Sequence, residues 1–277
     1  MSELRTTSLS HKDNTGTPNI TMFADGTTSL PGTVLGGFRN ALINGDFRVW
    51  ERGTAAYGSL STDVEYGSAD RWGHTSPAGL TSLARASAVP AGFHYSATLA
   101  TDNSARQRVE LYDQKAGPFV AGSQWTLSVW ANAQIRARVR DSNAVDFLPI
   151  GDMTATTETS NGFTRYVATF TMTADATGDY VEASVRNETG SEIKFTGCQL
   201  EPGPVATPFE HRPIGTELAL CQRYYYAPER SGGETPYASA YKDDFLQRTY
   251  TEIFPVTMRV IPTATANATN ITGSVKV

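Results

Sequence analysis

Between Gly37 and Glu201 apolar side chains recur at every second position, and no stretch there carries a sustained helical period. Tyr95, Ala97 and Leu99 alternate with His94, Ser96 and Thr98. Trp125, Leu127 and Val129 alternate with Thr126 and Ser128, and Tyr166, Ala168, Phe170 and Met172 with Arg165, Thr169 and Thr171. A strand of this kind has one apolar and one polar face, so two sheets must close on each other to hide their apolar sides. Further candidate strands are 80–86, 107–112, 135–140, 180–186 and 192–200, separated by Gly, Pro, Asn and Asp. The expectation is a mainly β chain with an antiparallel sandwich over 39–206, a jelly roll first among its topologies.

The flanks read differently. In 1–38, two short β-prone runs surround Asp25-Gly26, a hairpin signal. So small a pair cannot bury a core of its own. Its apolar residues Ile20, Met22, Phe23 and Leu30 are therefore candidates for docking on the sandwich, on sister chains or on another protein. Further on, Pro202, Pro204, Pro208 and Pro213 each remove a backbone donor, which predicts an extended strap between domains. Thr216 then stands where it would cap a helix from about Glu217 to Tyr226, with Pro228 past its exit. Leu220, Tyr224 and Ala227 share one face of that helix, flanked by Cys221 and Tyr225. Together with Leu218 they form either the core of a small 207–277 domain or a surface that meets identical chains. The runs 248–256 and 258–263 read as a strand, a proline break and a second strand. About 70 residues with so modest a core are marginal alone, and trimerisation would supply the missing burial.

With 39% hydrophobic residues over 277 positions a real core is affordable, yet no window of 18 apolar residues offers a membrane span. The opening MSELRTTSLSHKDNTG lacks the basic flank and apolar stretch of a signal peptide. A net charge of −5 speaks against a nucleic-acid partner. Cys198 and Cys221 have no His or Cys neighbours at metal spacing and leave two readings, a disulfide or two buried thiols. The histidines at 11, 74, 94 and 211 are scattered, and no metalloprotease, nucleophile-elbow, phosphate-loop or dinucleotide motif is present. Asp63 with Glu65, or Asp243 with Asp244, are the carboxylate pairs a glycosidase would need, but nearness in sequence says nothing of their placement across a sugar bond. No catalytic residue, cofactor or metal is expected. Arg136, Arg138 and Arg140 alternate with Ile135, Ala137 and Val139, so three guanidiniums share a face. They either grip an anionic glycan or pair with acidic cross-strand neighbours. Trp50, Tyr57, Tyr66 and Trp72 fit a core as well as a sugar platform, whereas Trp130 falls out of phase with Trp125, Leu127 and Val129 and is the aromatic candidate for glycan contact.

Two segments carry a family resemblance. Gln199 to Gly203, then Val205-Ala206-Thr207-Pro208-Phe209-Glu210-His211-Arg212-Pro213 and Leu218-Ala219-Leu220-Cys221-Gln222-Arg223-Tyr224-Tyr225, resembles a junction recurrent in tail-fiber and other fiber proteins of tailed bacteriophages. Asn40-Ala41-Leu42-Ile43-Asn44-Gly45-Asp46-Phe47, with Trp50, Arg52-Gly53 and Asp70-Arg71-Trp72, resembles the first strand of carbohydrate-binding jelly-roll modules and the matching part of phage fibers. The resemblance implies a virion protein assembled in the host cytoplasm, a homotrimeric tail fiber attaching to a host-surface glycan. Its amino-terminal segment (Ile20, Met22, Phe23, Leu30) would bind a tail, baseplate or capsid protein, and its tip (Leu218, Leu220, Cys221, Tyr224, Tyr225) would join three chains. A head fiber, capsid decoration or tail adaptor is the alternative it leaves open, with a glycan depolymerase more remote. In the sugar-binding modules calcium often staples the first strand to the last. Here Arg48 stands where they often place an acidic residue, and Thr196-Gly197-Cys198-Gln199 lacks the usual aspartate, so Asn44, Gly45 and Asp46 read as a turn.

Overall fold

The alternating runs close into two antiparallel sheets. The computed structural model describes residues 38–58, 66–75, 81–111, 117–227 and 254–262, together with the short strands Ser8–Leu9, Ile20–Met22, Thr28–Ser29, Tyr241–Lys242 and Arg248–Thr249. The sandwich strands are β1 (Gly73–Thr75), β2 (Arg85–Ala86), β3 (Ser96–Leu99), β4 (Ser104–Glu110), β5 (Gln124–Ala131) and β6 (Arg136–Asp141). They continue with β7 (Asp146–Asp152), β8 (Thr154–Ser160), β9 (Phe163–Thr171), β10 (Tyr180–Arg186) and β11 (Ile193–Pro202). One sheet has the order β8-β9-β5-β11-β3-β2 and the other β7-β6-β10-β4-β1, so the chain passes repeatedly from sheet to sheet. This is a jelly-roll sandwich.

Period two decides which side chains meet between the sheets. Trp125, Leu127 and Val129 of β5 stand opposite Phe170, Ala168 and Tyr166 of β9. Facing them across the core are Ala137 and Val139 of β6 and Val181, Ala183 and Val185 of β10, all buried. Phe47, Trp72 and Phe195 close one end, with Phe47 centroids 5.3 Å from Trp72 and 5.0 Å from Phe195. Strands β7 and β8 are edges with mostly exposed side chains, so they lack the alternation that marks the others. Pro149 is tolerated in β7 because an edge strand has one unpaired side. The run 80–86 splits into Thr81–Ser82, which pairs with Tyr57–Gly58, and β2, because Leu83 turns the backbone at φ 63°.

The segment 40–47 joins no ladder but is stapled to β11 by polar bonds. Asn40 Nδ2 donates to the Cys198 carbonyl at 3.1 Å, its Oδ1 accepts from Leu200 N at 3.0 Å, and Cys198 N donates to Gly45 O at 2.9 Å. Asn44, at φ 56°, leads the expected turn. Gly45 is required there, since a Cβ would lie 2.1 Å from the Cys198 carbonyl oxygen.

The strap and helix depart from expectation in several respects. Residues 203–213 lie across the outer face of the six-stranded sheet. Their prolines cannot donate, so side chains of β11 replace a ladder. Gln199 Oε1 accepts from Glu210 N at 2.8 Å, and Glu201 Oε1 accepts from Thr207 N at 2.8 Å. The helix α1 spans Ile214–Gln222, starting earlier and ending sooner than 217–226. Thr216 is not its cap. Pro213 occupies that position with no side-chain bond, and its carbonyl accepts from Thr216 N and Glu217 N at 3.0 and 3.1 Å. The buried side of α1 is polar, made by Glu217, Cys221 and Gln222, while Leu218 and Leu220 are half-buried. Glu217 pairs with the buried Arg212 at 3.3 Å and accepts from Asn44 N, while Arg212 donates to Leu42 O at 2.9 Å. Residues 254–262 are irregular rather than stranded. At the amino terminus Thr21 pairs with Ser29 and Met22 with Thr28, placing Ile20 and Met22 in a strand that flanks Asp25-Gly26, while Phe23 and Leu30 lie outside the described residues.

Candidate functional site

The outer face of the five-stranded sheet is a grid of arginines. Because inward positions hold Ala, Val and Gln, every second residue of β4, β10 and β6 points out: Arg108 and Arg106, then Glu182, Ser184 and Arg186, then Arg140, Arg138 and Arg136. Register sets the neighbours. Glu182 lies between Arg108 and Arg140, Ser184 between Arg106 and Arg138, and Arg186 beside Arg136.

Glu182 is the electrostatic centre of this grid. Its carboxylate is fully hidden, 3.2 Å from Arg140, 3.3 Å from Arg106 and 3.4 Å from Arg108. One carboxylate cannot neutralise three guanidiniums, each of which keeps N–H donors to spare. Burial pushes Arg106 below the usual arginine range; Glu182 opposes the shift, and Arg140 and Arg138 add to it. Charge compensation is better at the rim, where Arg136 lies 3.3 Å from Asp152 and also contacts Glu188, and Arg186 lies 2.7 Å from Glu188. Arg138 has Asp146 at 3.8 Å.

At one end the grid opens into a cavity of about 310 Å³ between β4, the turn at Asp70 and Arg71, and the exit of α1. Arginines and tyrosines interleave there: Arg71 lies 3.4 Å from the Tyr224 ring centroid, Arg52 3.9 Å from Tyr225 and Arg108 4.5 Å from Tyr180. Residues 254–262 complete a wall through Arg259, which pairs with Glu110 and donates its backbone N–H to Arg223 O at 2.9 Å. Burial raises the Tyr224 phenol; Arg71 opposes this and Glu110 adds to it. Burial likewise raises the Asp70 carboxyl, against a backbone bond from Glu51 and the charge of Arg52.

The structure does bring Arg136, Arg138 and Arg140 together on one face, but it does not bring Trp130 to them. The chain changes sheets between β5 and β6, so Trp130 lies on the outer side of the six-stranded sheet. It is half-buried there, beside Phe93 at 6.5 Å and the bulge at Gly197. Trp72 is core, Trp50 packs on Phe47, and Tyr66 lines the cavity. Of the residues assigned to chain contacts, Cys221 is 1% exposed and so has no surface for a sister chain, while Tyr224 and Tyr225 each have a ring face covered by arginine. Both cysteines are free and buried. The pairs Asp63 with Glu65 and Asp243 with Asp244 lie outside the described residues. Sequence reading passed over Arg106, Arg108 and Glu182, although the alternation of Arg106 and Arg108 repeats that of 136–140.

No protein-family model matches the chain, and no curated protein matches it. Solved structures with a similar arrangement include the enzymatically active domain of bacteriophage CBA120 tailspike protein 4, at 15% identity and TM-score 0.34 over 60% of this chain. The match spans 22% of that tailspike chain. The CBM22-1 xylan-binding domain of Paenibacillus barcinonensis Xyn10C is 10% identical, with TM-score 0.34 over 55% of this chain and 99% of its own. A family 16 carbohydrate binding module is 16% identical, with TM-score 0.32 over 58% and 99%. At such scores these likenesses carry no argument, and the jelly roll rests on the strand order described above.

Proposed function

We propose that this chain is a non-catalytic, glycan-binding structural protein, the adhesion body of a bacteriophage fiber, and that it holds an anionic glycan on the outer face of the five-stranded sheet. The observation that carries the reading is the gathering of Arg106, Arg108 and Arg140 around the single hidden Glu182, with Arg138 beside them. The spare donors suit carboxylate or sulfate groups spaced along a sugar chain. Support for a fiber comes from the resemblance at 199–225, and three copies on one stalk would turn weak sites into useful avidity.

Acidic and neutral polysaccharides immobilised side by side, with the intact chain as analyte, test this. The expected result is retention on the acidic polymer only, weakening as salt rises. Replacing the central Arg138 with alanine should cost about 10-fold in affinity, the scale of one charge-assisted contact. Equal retention on both polymers, or none, would sink the reading. The pairing of Arg136 with Asp152 and Glu188 favours the second reading, a purely structural head fiber, decoration or adaptor whose arginines only hold the sheet.

A further inference from the structure

We propose that the cavity at the exit of α1 is a second binding site, and that it takes a single carboxylated sugar ring such as a hexuronate. The proposal rests on the glycan-binding reading above for the class of ligand; its site shares Arg108 with the arginine grid and otherwise lies outside it. With about 310 Å³ the cavity stands at the lower end of ligand pockets, suited to one ring rather than a chain.

Its walls carry four guanidiniums, from Arg52, Arg71, Arg108 and Arg259, and three carboxylates, from Asp70, Glu110 and Asp179. The balance favours one negative charge on the ligand. A doubly charged phosphate would have to approach three carboxylates, and a neutral sugar would leave the cationic excess unanswered. Hydroxyl groups of a pyranose donate to carboxylates, while its own carboxylate accepts from a guanidinium fork.

A second, independent observation points the same way. Among the described residues, Arg71 Nε is buried without a hydrogen-bond partner, and Asp70 Oδ1 beside it lies 3.7 Å from Arg52 Nε. Arg71 is held at φ 71°, a conformation costly for a residue with a side chain, and its Nη2 donates to Arg108 O at 2.6 Å. The guanidinium is thereby pinned between the Tyr224 ring and β4. Arg259, by contrast, is 47% exposed along its side chain, and Asp179 is exposed at the rim, so both can be replaced without opening the core.

The test is calorimetry and ligand-observed NMR on the full chain with D-glucuronate and D-galacturonate, using glucose, galactose and inorganic phosphate as controls. A uronate should bind with millimolar affinity and at least about 10-fold more tightly than the neutral sugar. Arg259→Ala and Asp179→Asn, each first shown to melt like the parent, should weaken it about 5- to 10-fold, while Arg138→Ala leaves it unchanged. No uronate binding at about 10 mM, equal binding of glucose, or preference for phosphate overturns the proposal. Loss of uronate binding in Arg138→Ala alone also overturns it, moving the site to the grid. Retention of the chain on acidic polysaccharide without uronate binding refutes the cavity site and leaves the sheet-face reading standing.

Discussion

Asn44 has backbone and side chain both committed. At φ 56° it adopts the left-handed conformation that asparagine tolerates better than most residues, and its carboxamide is wholly buried. Nδ2 donates to Val49 O and Asp70 O, both at 2.9 Å, and Oδ1 accepts from Val49 N at 2.9 Å. The Asn44 carbonyl receives the Trp72 indole N–H at 2.9 Å. Asn44→Ala should therefore cost about 3 kcal/mol, the sum of stranded partners and a worse backbone fit, read as a fall in the urea midpoint with unchanged slope. Asp141 makes a different prediction, in pH. Burial raises its carboxyl, but backbone bonds from Val145, Thr177 and Asn143 and the Thr177 hydroxyl outweigh this and hold it below its ordinary value of 3.8. A carboxyl that titrates lower when folded stabilises fully above its unfolded value, and this stabilisation is lost as pH falls through the folded one. Asp141→Ala should cost about 2–3 kcal/mol at pH 7, with the gap to the parent closing below pH 3.8 in acid-unfolding curves. A gap constant with pH would show that the loss is one of packing.

At the scale of elements, the strap and α1 are held to the sandwich by polar bonds more than by an apolar stripe. The Arg212–Glu217 pair has both side chains 4% exposed, and Arg212 also has Glu210 at 3.5 Å, so it is Glu217 that depends on its partner for a counter-charge. Arg212→Met should cost about 3–5 kcal/mol by leaving Glu217 buried without a counter-charge, and Glu217→Leu less, because Arg212 keeps Glu210. Arg212→Met with Glu217→Leu should cost clearly less than the sum, a coupling that a double-mutant cycle in urea measures. Additive losses would mean that the two act separately. This arrangement explains why the helix was legible but its face was not. Leu218, Leu220 and Tyr224 suggested an apolar contact, whereas an acidic side chain lies inward because Asn44 N and Arg212 supply its partners from segments far away in sequence.

For the whole molecule, two measurements bear on assembly and accessibility. Light scattering on the full chain should give about three times 29.9 kDa if three copies form the fiber proposed here; a monomer would end the trimer reading. Cys198 and Cys221 are both buried, and burial raises both thiols, Asp70 and Glu217 adding to the shift at Cys221. A disulfide-exchange reagent at pH 8 should accordingly modify neither cysteine in the native protein and both in urea; fast native reaction would place a thiol at the surface. The sequence alone determined the sandwich and the core-facing side of the strands at 95–99, 125–129, 135–140 and 166–172, because a period of two puts neighbouring residues on opposite faces whatever the strand pairs with. It also placed three arginines on one face for the same reason. Tertiary structure decided that Glu182 would lie among Arg106, Arg108 and Arg140, that Trp130 would stand on the other sheet, and that the strap would cover one outer face. Those outcomes depend on strand order and register between segments tens of residues apart, and the periodicity of a single strand carries no information about which strand will lie beside it.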